Sequence, residues 1–178
     1  MSTFPPELLE QWLQICDEKK YTKPKVYQGM YNLIRRGPEV DVFPILRRHG
    51  MHFVANSPLA AGVLTGKLTA GTTEGTRFAK GNAVGEGLRG IFDKPEIHQA
   101  VGRLTTVLGP LGIGSVEAAL RWLYYHSLLG EGDGIILGAS RAEQIVQNVA
   151  AIRKGPLPEE VVQSVEDIWK VLSEVPGG

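Results

Sequence analysis

The chain has 178 residues, of which 43% are hydrophobic and 21% charged, so it can bury one core. Nineteen basic residues balance nineteen acidic ones, which argues against a nucleic-acid-binding or membrane-surface protein. The single cysteine, Cys16, excludes an internal disulfide, and no apolar run reaches the roughly 18 residues of a membrane helix. Without a visible secretory signal, these features predict one cytoplasmic domain over residues 1–178.

Apolar spacing, proline positions and β-prone segments predict strands that alternate with helices. In chain order the predicted elements are a helix over 5–16, a strand over 26–28, a helix from Pro38 to near Gly50, a strand over 51–56, helices from Pro95 and Ser115, a strand over 134–139, and helices from Ser140 and from Pro158 to about Leu172. The stretch 62–90 holds eight glycines and shows no clear apolar period, which predicts a long surface loop.

The order of these elements favours an α/β fold with parallel strands, because alternating strands and helices are typical of βα units. Three strands are too few to close a (β/α)8 barrel. We therefore predict a partial (β/α)8 TIM barrel, the last three or so βα units, in a single domain that is truncated at its N-terminal side. Strand edges left open in such a fragment favour a homo-oligomer or pairing through the open barrel edges.

The segment IILGASRAEQIVQNVAA, residues 135–151, predicts a strand that passes through Gly138 directly into a helix. Ser140 and Glu143 have the spacing of a capping box, which by itself explains both residues. A second interpretation is an anion site, because free amides at a helix start and the Arg141 guanidinium both bind phosphate. The sequence alone leaves both interpretations open.

One turn further along, Gln144 and Asn148 lie on the same face of this predicted helix. Their amides have the donors and acceptors that the edge of a purine requires. Solvated amides would show the same pattern, so these two interpretations also remain open.

Four motifs in chain order resemble the aldo-keto reductases, in particular the subfamily that includes aflatoxin aldehyde and succinic semialdehyde reductases. They are VYQGMYN (26–32), NSPLAAGVLTGK (56–67), RWLYYHS (121–127) and IILGASRAEQIVQN (135–148). The resemblance runs over nearly all of the chain. It implies an NADP(H)-dependent reductase of small-molecule aldehydes or ketones on a (β/α)8 barrel, with no metal.

The same resemblance implies a set of NADP(H) contacts. Gln28 matches the glutamine that bonds the nicotinamide carboxamide, and the segment 57–67 matches the loop around the pyrophosphate. The first turn of the helix from Ser140 matches the 2′-phosphate clamp, and its next turn matches the adenine contacts. The implied cofactor-binding residues are Gln28, Ser57, Pro58, Leu59, Ala61, Gly62, Leu64, Gly66, Lys67, Arg77, Asn82, Gly138, Ser140, Arg141, Gln144 and Asn148.

Other interpretations of these residues need no ligand. Gln28 could be a polar strand end that faces water, and 57–67 could be an ordinary turn. Arg77 and Asn82 lie in a stretch that resembles the family's GRF…GN segment, which meets substrate carboxylate or cofactor. Arg77 could equally be a solvated loop charge.

Two departures from the family pattern bear on activity. Asn56 stands where the family has a tyrosine stacked on the nicotinamide ring, and asparagine offers no flat apolar face. The family's catalytic aspartate, tyrosine, lysine and histidine are not matched in this chain. Tyr124, Tyr125 and His126 fall in a run that predicts a packed aromatic stripe, and no tyrosine or histidine has a lysine and an aspartate at a suitable spacing. We therefore predict no catalytic residue.

Three functional hypotheses follow from these observations. The first is the C-terminal, NADP(H)-binding half of an aldo-keto reductase, inactive as this chain alone. The second is a module that binds NADP(H) without chemistry. The third is a partial barrel that self-associates through its strand edges.

Overall fold

A computed structural model describes residues 1–174 of the chain. Within these residues the helices are α1 (Pro6–Lys19), α2 (Pro38–Asp41), α3 (Phe43–Arg48), α4 (Ala83–Phe92), α5 (Pro95–Leu108), α6 (Ser115–Tyr125), α7 (Ala142–Ile152) and α8 (Glu159–Ser173). The strands are β1 (Val26–Met30), β2 (His52–Asn56) and β3 (Gly134–Ile135). The predicted α/β class is confirmed.

The three strands form one parallel sheet in the order β1-β2-β3. β1 and β2 pair along their whole length, whereas β2 and β3 pair over two residues of each strand. On the free edge of β1, Gln28 forms a parallel bridge to Ser2, so the N-terminal segment extends the sheet. The carboxyl ends of the strands therefore lie along one edge, which is where ligands bind in α/β proteins.

Side chains along β1 and β2 alternate between two faces of the sheet. One face is buried against the helices and carries Tyr27, Gly29, Phe53 and Ala55. The Phe53 ring centroid lies 4.7 Å from that of Phe43 and 5.7 Å from that of Tyr27. On the opposite face Val26 and His52 are exposed, and the residues that follow them on that face are half-buried. The core thus lies between the sheet and the helices that follow its strands.

The predicted surface loop over 62–90 is wrong in part, because residues 83–90 belong to α4 and Phe78 is buried in the core. Three glycines in this helix lower helix propensity and mask its apolar period. Asn82 caps α4, since its Oδ1 accepts the Gly85 N–H at 3.1 Å. A Cβ at Gly85 would lie 1.9 Å from the Arg77 carbonyl oxygen, so only glycine permits this close approach.

Three other predictions differ from the structure. The predicted helix over 38–50 is divided into α2 and α3, because Pro44 has no N–H to continue the helical hydrogen bonds. The predicted third strand over 134–139 is shorter in the structure and ends at Ile135, because its ladder with β2 includes only Gly134 and Ile135. Tyr124 and Tyr125 are 58% and 39% exposed rather than packed, because α6 faces the core with its other side.

A buried carboxylate joins the turn before β3 to the start of β2. The Asp133 side chain has no exposed surface and accepts the Phe53 N–H at 2.7 Å and the Gly130 N–H at 2.8 Å. It also pairs with Arg47. Burial acts to raise the pKa of Asp133, but these three hydrogen bonds outweigh burial and hold the pKa below its usual value.

We expect Asp133→Ala to lower the free energy of unfolding by about 2 kcal/mol near neutral pH, because it leaves a buried N–H without an acceptor. Since the folded pKa is the lower one, this stabilisation is complete above the unfolded pKa of about 4 and is lost as the pH falls through the folded pKa. Urea unfolding of both proteins across this pH range checks the expectation. Equal stability near neutral pH would contradict it.

Candidate functional site

Hydrogen bonds join the segments that follow the three strands. After β1, the Asn32 side chain donates to the Ser57 carbonyl oxygen at 3.0 Å. After β3, the Ile136 N–H donates to the Ala55 carbonyl oxygen at 2.9 Å. The segments that carry most of the predicted cofactor contacts are therefore neighbours at the carboxyl edge of the sheet.

The loop after β2 has an unusual backbone conformation. Ser57 has a φ of 53°, and Ala60, Ala61 and Gly62 follow with φ of 49°, 58° and 106°. Left-handed backbone costs a residue other than glycine about 1–2 kcal/mol, and such strain is concentrated at functional sites. Successive N–H groups in turns of this kind can form a concave anion site. Turns can hold successive residues at positive φ, so the ordinary-turn interpretation of 57–67 also remains open.

The helix α7 begins at Ala142, and the predicted capping box is wrong. Arg141 precedes the helix with an extended backbone and makes no side-chain cap. The Ser140 N–H donates to Gln144 Oε1 at 2.9 Å, and the Ser140 hydroxyl lies 3.3 Å from the same oxygen. Ser140 lies one residue too early to cap α7, and Gln144 takes the place expected of Glu143.

Lys67 and Arg141, two basic residues among the predicted contacts, have no carboxylate partner within residues 1–174, and the same is true of Arg77 before α4. Arg35 elsewhere in the fold is also unpaired among the described residues, whereas a second group of arginines forms ion pairs. That group consists of Arg36, Arg47, Arg48, Arg89 and Arg121. A cation at a helix start opposes the helix dipole unless an anion binds beside it. Arg141 therefore occupies a position that a bound phosphate would stabilise.

Asn148 lies on α7, one turn beyond Gln144, and is only 7% exposed. Its amide makes no hydrogen bond to another residue in the described part of the chain. The amide atoms of Asn148 are not among the fully buried, unpartnered polar atoms of the described residues, so they remain open to water or to a ligand. Both interpretations of Asn148, solvated amide and purine contact, therefore remain open. Gln144 is half-buried, and its amide oxygen is already bonded to Ser140.

The remaining predicted contacts lie in different places. Gln28 is the central residue of β1 rather than its end, on the half-buried face of the sheet. Gly138 is exposed between β3 and α7. Arg77 is exposed, and Asn82 uses its amide oxygen to cap α4. Arg77 and Asn82 thus lie before α4, outside the segments that directly follow the strands.

The two buried tyrosines of the described residues are poorly suited to donate a proton. Tyr31 donates to Glu39 Oε1 at 2.6 Å, and burial together with this carboxylate raises the pKa of Tyr31 far above its usual value. Tyr27 donates to the Phe4 carbonyl oxygen at 2.8 Å, and burial raises its pKa as well. A general acid near neutral pH needs the opposite shift. Both tyrosines therefore serve the packing of the fold.

One histidine does lie beside a lysine and an aspartate, contrary to the prediction from spacing. His49 Nδ1 lies 3.4 Å from Lys23 Nζ and 4.0 Å from Asp17 Oδ2. Spacing did not indicate this group because α1 and α3 approach each other only in the folded chain. Lys23 precedes β1 and His49 precedes β2, so the group lies at the amino edge of the sheet, opposite the candidate site.

Residues 1–174 contain neither a candidate metal site nor a candidate membrane-spanning helix. No group of three or more His, Cys, Asp and Glu side chains in these residues could hold a metal ion. No described helix combines the length and the apolarity needed to cross a membrane.

Asn32 is a residue of this edge that the sequence analysis missed. It has no exposed surface, and its side chain bonds both Ser57 and the Ile34 N–H, the latter at 3.2 Å. An asparagine directly after a predicted strand was visible in the VYQGMYN motif. Its contact with Ser57 spans 25 positions of sequence, and no linear pattern indicates such a contact.

The fold and site are those of an α/β protein with a candidate anion site at the carboxyl edge of a parallel sheet. Comparison with known proteins agrees with this class. The model of the aldo/keto reductase family matches residues 1–170. The chain therefore belongs to the aldo/keto reductase family.

Individual relatives cover most of this chain but only part of their own length. An aldo-keto reductase of Pseudocercospora fijiensis is 36% identical over 171 residues, which are 91% of this chain and 56% of that protein. Aflatoxin B1 aldehyde reductase member 2 of Rattus norvegicus is 39% identical over 169 residues, 89% of this chain and 46% of that protein. The Homo sapiens protein of the same name is 38% identical over 169 residues, with shares of 89% and 47%. The chain thus spans about half the length of the curated relatives it matches.

Proposed function

We propose that this chain is the NADP(H)-binding, C-terminal half of an aldo-keto reductase that converts small aldehydes or ketones to alcohols, and that its sheet belongs to a (β/α)8 barrel. The observation that carries this proposal is the left-handed backbone of Ser57, Ala60 and Ala61 in the loop after β2. Backbone conformations that cost free energy are concentrated at ligand-binding and active sites. In (β/α)8 barrels the carboxyl edge is the side on which ligands bind.

The described residues fit a dinucleotide that carries an additional phosphate. Arg141 and the free amides of α7 would hold the 2′-phosphate, and the loop 57–67 would hold the pyrophosphate. The unpartnered amide of Asn148 would bond the adenine edge. Gln28, on the half-buried face of β1, would bond the nicotinamide carboxamide. When bound, the dinucleotide would supply the hydride that reduces the carbonyl carbon.

A titration of the purified chain with NADPH, followed by nucleotide fluorescence, tests this proposal. We expect a saturable change, and weaker binding of NADH because it lacks the 2′-phosphate that Arg141 would contact. Asp133→Asn serves as a control for general effects on the fold, since Asp133 lies at the amino side of β2. No saturable change, or equal affinity for NADPH and NADH, would overturn the proposal.

We expect the purified chain to show no aldehyde-dependent oxidation of NADPH. In the proposed function this chain binds NADPH, the hydride donor, and the proton donor lies in residues outside this sequence. The two buried tyrosines described above have raised pKa values. Absorbance of NADPH in the presence of an aromatic aldehyde measures the rate. Turnover by rigorously purified protein would contradict this expectation.

A self-associating partial barrel is a second candidate, because α1 presents an apolar stripe to solvent. Leu8, Trp12 and Ile15 recur on one face and are 49%, 39% and 47% exposed. Exposed apolar stripes of this kind mark interaction surfaces. Sedimentation velocity distinguishes the candidates, since self-association predicts a dimer or larger species whose population rises with concentration. A compact monomer at all concentrations would exclude it.

A further inference from the structure

The side chain of Asn32 connects the end of β1 to the strained loop after β2. Asn32 is completely buried, and both ends of its amide are bonded. Nδ2 donates to the Ser57 carbonyl oxygen at 3.0 Å, and Oδ1 accepts the Ile34 N–H at 3.2 Å. Its backbone also exchanges two hydrogen bonds with Arg35, at 3.0 and 3.2 Å, which close a tight turn. The amide is therefore held in one orientation from both sides.

The bond from Asn32 reaches the residue at which the unusual loop conformation begins. Ser57 has a φ of 53°, and its carbonyl oxygen also accepts the Ala60 N–H at 2.8 Å. Ala60 and Ala61 then continue in the left-handed region. Serine and alanine disfavour this region, so the conformation persists only where surrounding contacts fix it. Among the described residues, the side chain outside the loop that bonds Ser57 is that of Asn32, whose amide holds the Ser57 carbonyl oxygen in place.

We infer that Asn32 is a positioning residue for phosphate binding: its buried amide fixes the Ser57 carbonyl and thereby sets the direction of the loop amides that would meet the cofactor's pyrophosphate. The inference rests on the proposed function, because it assigns a task to the same loop. Asn32 itself does not touch the cofactor. Removing its amide should therefore weaken contacts to the pyrophosphate and leave contacts to the adenosine 2′-phosphate intact.

Two ligands distinguish the contacts to the pyrophosphate from the contacts to the 2′-phosphate. NADPH carries the pyrophosphate, whereas adenosine 2′-monophosphate carries only the adenine and the phosphate expected at Arg141. We expect Asn32→Ala to weaken NADPH about tenfold, the effect of losing one buried hydrogen bond. The affinity for adenosine 2′-monophosphate should change less than about twofold. Isothermal titration calorimetry measures both dissociation constants on the full chain.

Additional variants separate positioning from stability. Val165→Ala removes buried volume in α8 and is the control for a general loss of stability. Asn32→Ser keeps a hydroxyl that can accept the Ile34 N–H but cannot reach Ser57, and it replaces Asn32→Ala if that variant fails to fold. Ser57→Gly removes the penalty for left-handed backbone, so in the Asn32→Ala background it should restore part of the NADPH affinity.

Each outcome decides between explanations. A selective loss of NADPH affinity with rescue by Ser57→Gly supports the inference. Equal losses for both ligands, or unchanged NADPH affinity with a loss of stability like that of Val165→Ala, would show that Asn32 only stabilises the fold. If the unsubstituted chain binds adenosine 2′-monophosphate and NADPH, the proposed function stands whatever Asn32 does. If it binds neither, the proposed function fails and the inference with it.

Discussion

Arg141→Ala is expected to weaken NADPH binding by about 10- to 100-fold and to leave NADH binding nearly unchanged. A hydrogen bond to a charged group contributes about 1.5–3 kcal/mol, and each 1.4 kcal/mol or so is a factor of ten. Arg141 is exposed directly before α7, with an extended backbone and no ion pair in the described residues, so its guanidinium is available to a phosphate. Only NADPH carries the 2′-phosphate that this side chain would contact.

Fluorescence titration with each nucleotide measures the effect of Arg141→Ala. Arg153→Ala is the matched control, because Arg153 follows the opposite end of α7 and is also exposed. Arg141→Lys should retain part of the affinity, since lysine keeps the charge but loses the planar fork. Equal losses for NADPH and NADH, or an equal effect of Arg153→Ala, would show that Arg141 does not bind the 2′-phosphate.

Arg36→Ala is expected to lower the free energy of unfolding by about 3–5 kcal/mol, the usual cost of removing one member of a buried ion pair. The Arg36 guanidinium lies 4.8 Å from the Trp122 ring centroid and 5.6 Å from that of Trp169. Its Nε donates to Glu39 Oε1 at 2.7 Å, and its Nη1 donates to Glu166 Oε1 at 2.8 Å. The substitution leaves the Glu39 carboxylate partly buried without its cation and opens a cavity between two indole rings.

Urea unfolding monitored by circular dichroism measures this loss. For a chain of this length the midpoint of thermal unfolding should fall by about 10 °C. Arg35→Ala is the control, because Arg35 is adjacent in sequence, is only half-buried and forms no ion pair within residues 1–174. The stability of Arg36→Lys should lie between those of Arg36→Ala and Arg35→Ala, since lysine keeps a charge but cannot bond two carboxylates in the same plane. An Arg36→Ala protein as stable as Arg35→Ala would contradict the account.

The sequence predicted the strands and most helices because their signals are local. β1 and β2 lie where β-prone runs stand between breakers, and α1 and α5 begin at prolines, as predicted. The helix α4 was missed because glycine spacing conceals its apolar face and its local N-cap at Asn82 was not used as a start signal, while the close contact of Gly85 with the Arg77 carbonyl depends on the fold of the preceding segment. Local patterns therefore predict elements whose stability is local and miss those set by a neighbouring segment.

In the candidate site, too, the features that the sequence did not predict depend on the folded chain. Resemblance to a family was needed to propose the loop 57–67 as a cofactor contact, because nothing in its composition predicts left-handed backbone at two successive alanines. The capping box at Ser140 was a reasonable local prediction, but the Ser140 N–H bonds the Gln144 side chain instead of that of Glu143. The group at His49 and the bridge from Asn32 both depend on contacts between distant segments. Such contacts follow from the fold and not from spacing.

A crystal structure of the chain grown with NADPH tests the central claim most directly. The account predicts the 2′-phosphate beside Arg141 and the first amides of α7, the pyrophosphate against the loop 57–67, and the adenine against Asn148. Density for the dinucleotide at another surface, or a pocket between Gly138 and Asn148 filled by the chain's own side chains, would contradict it.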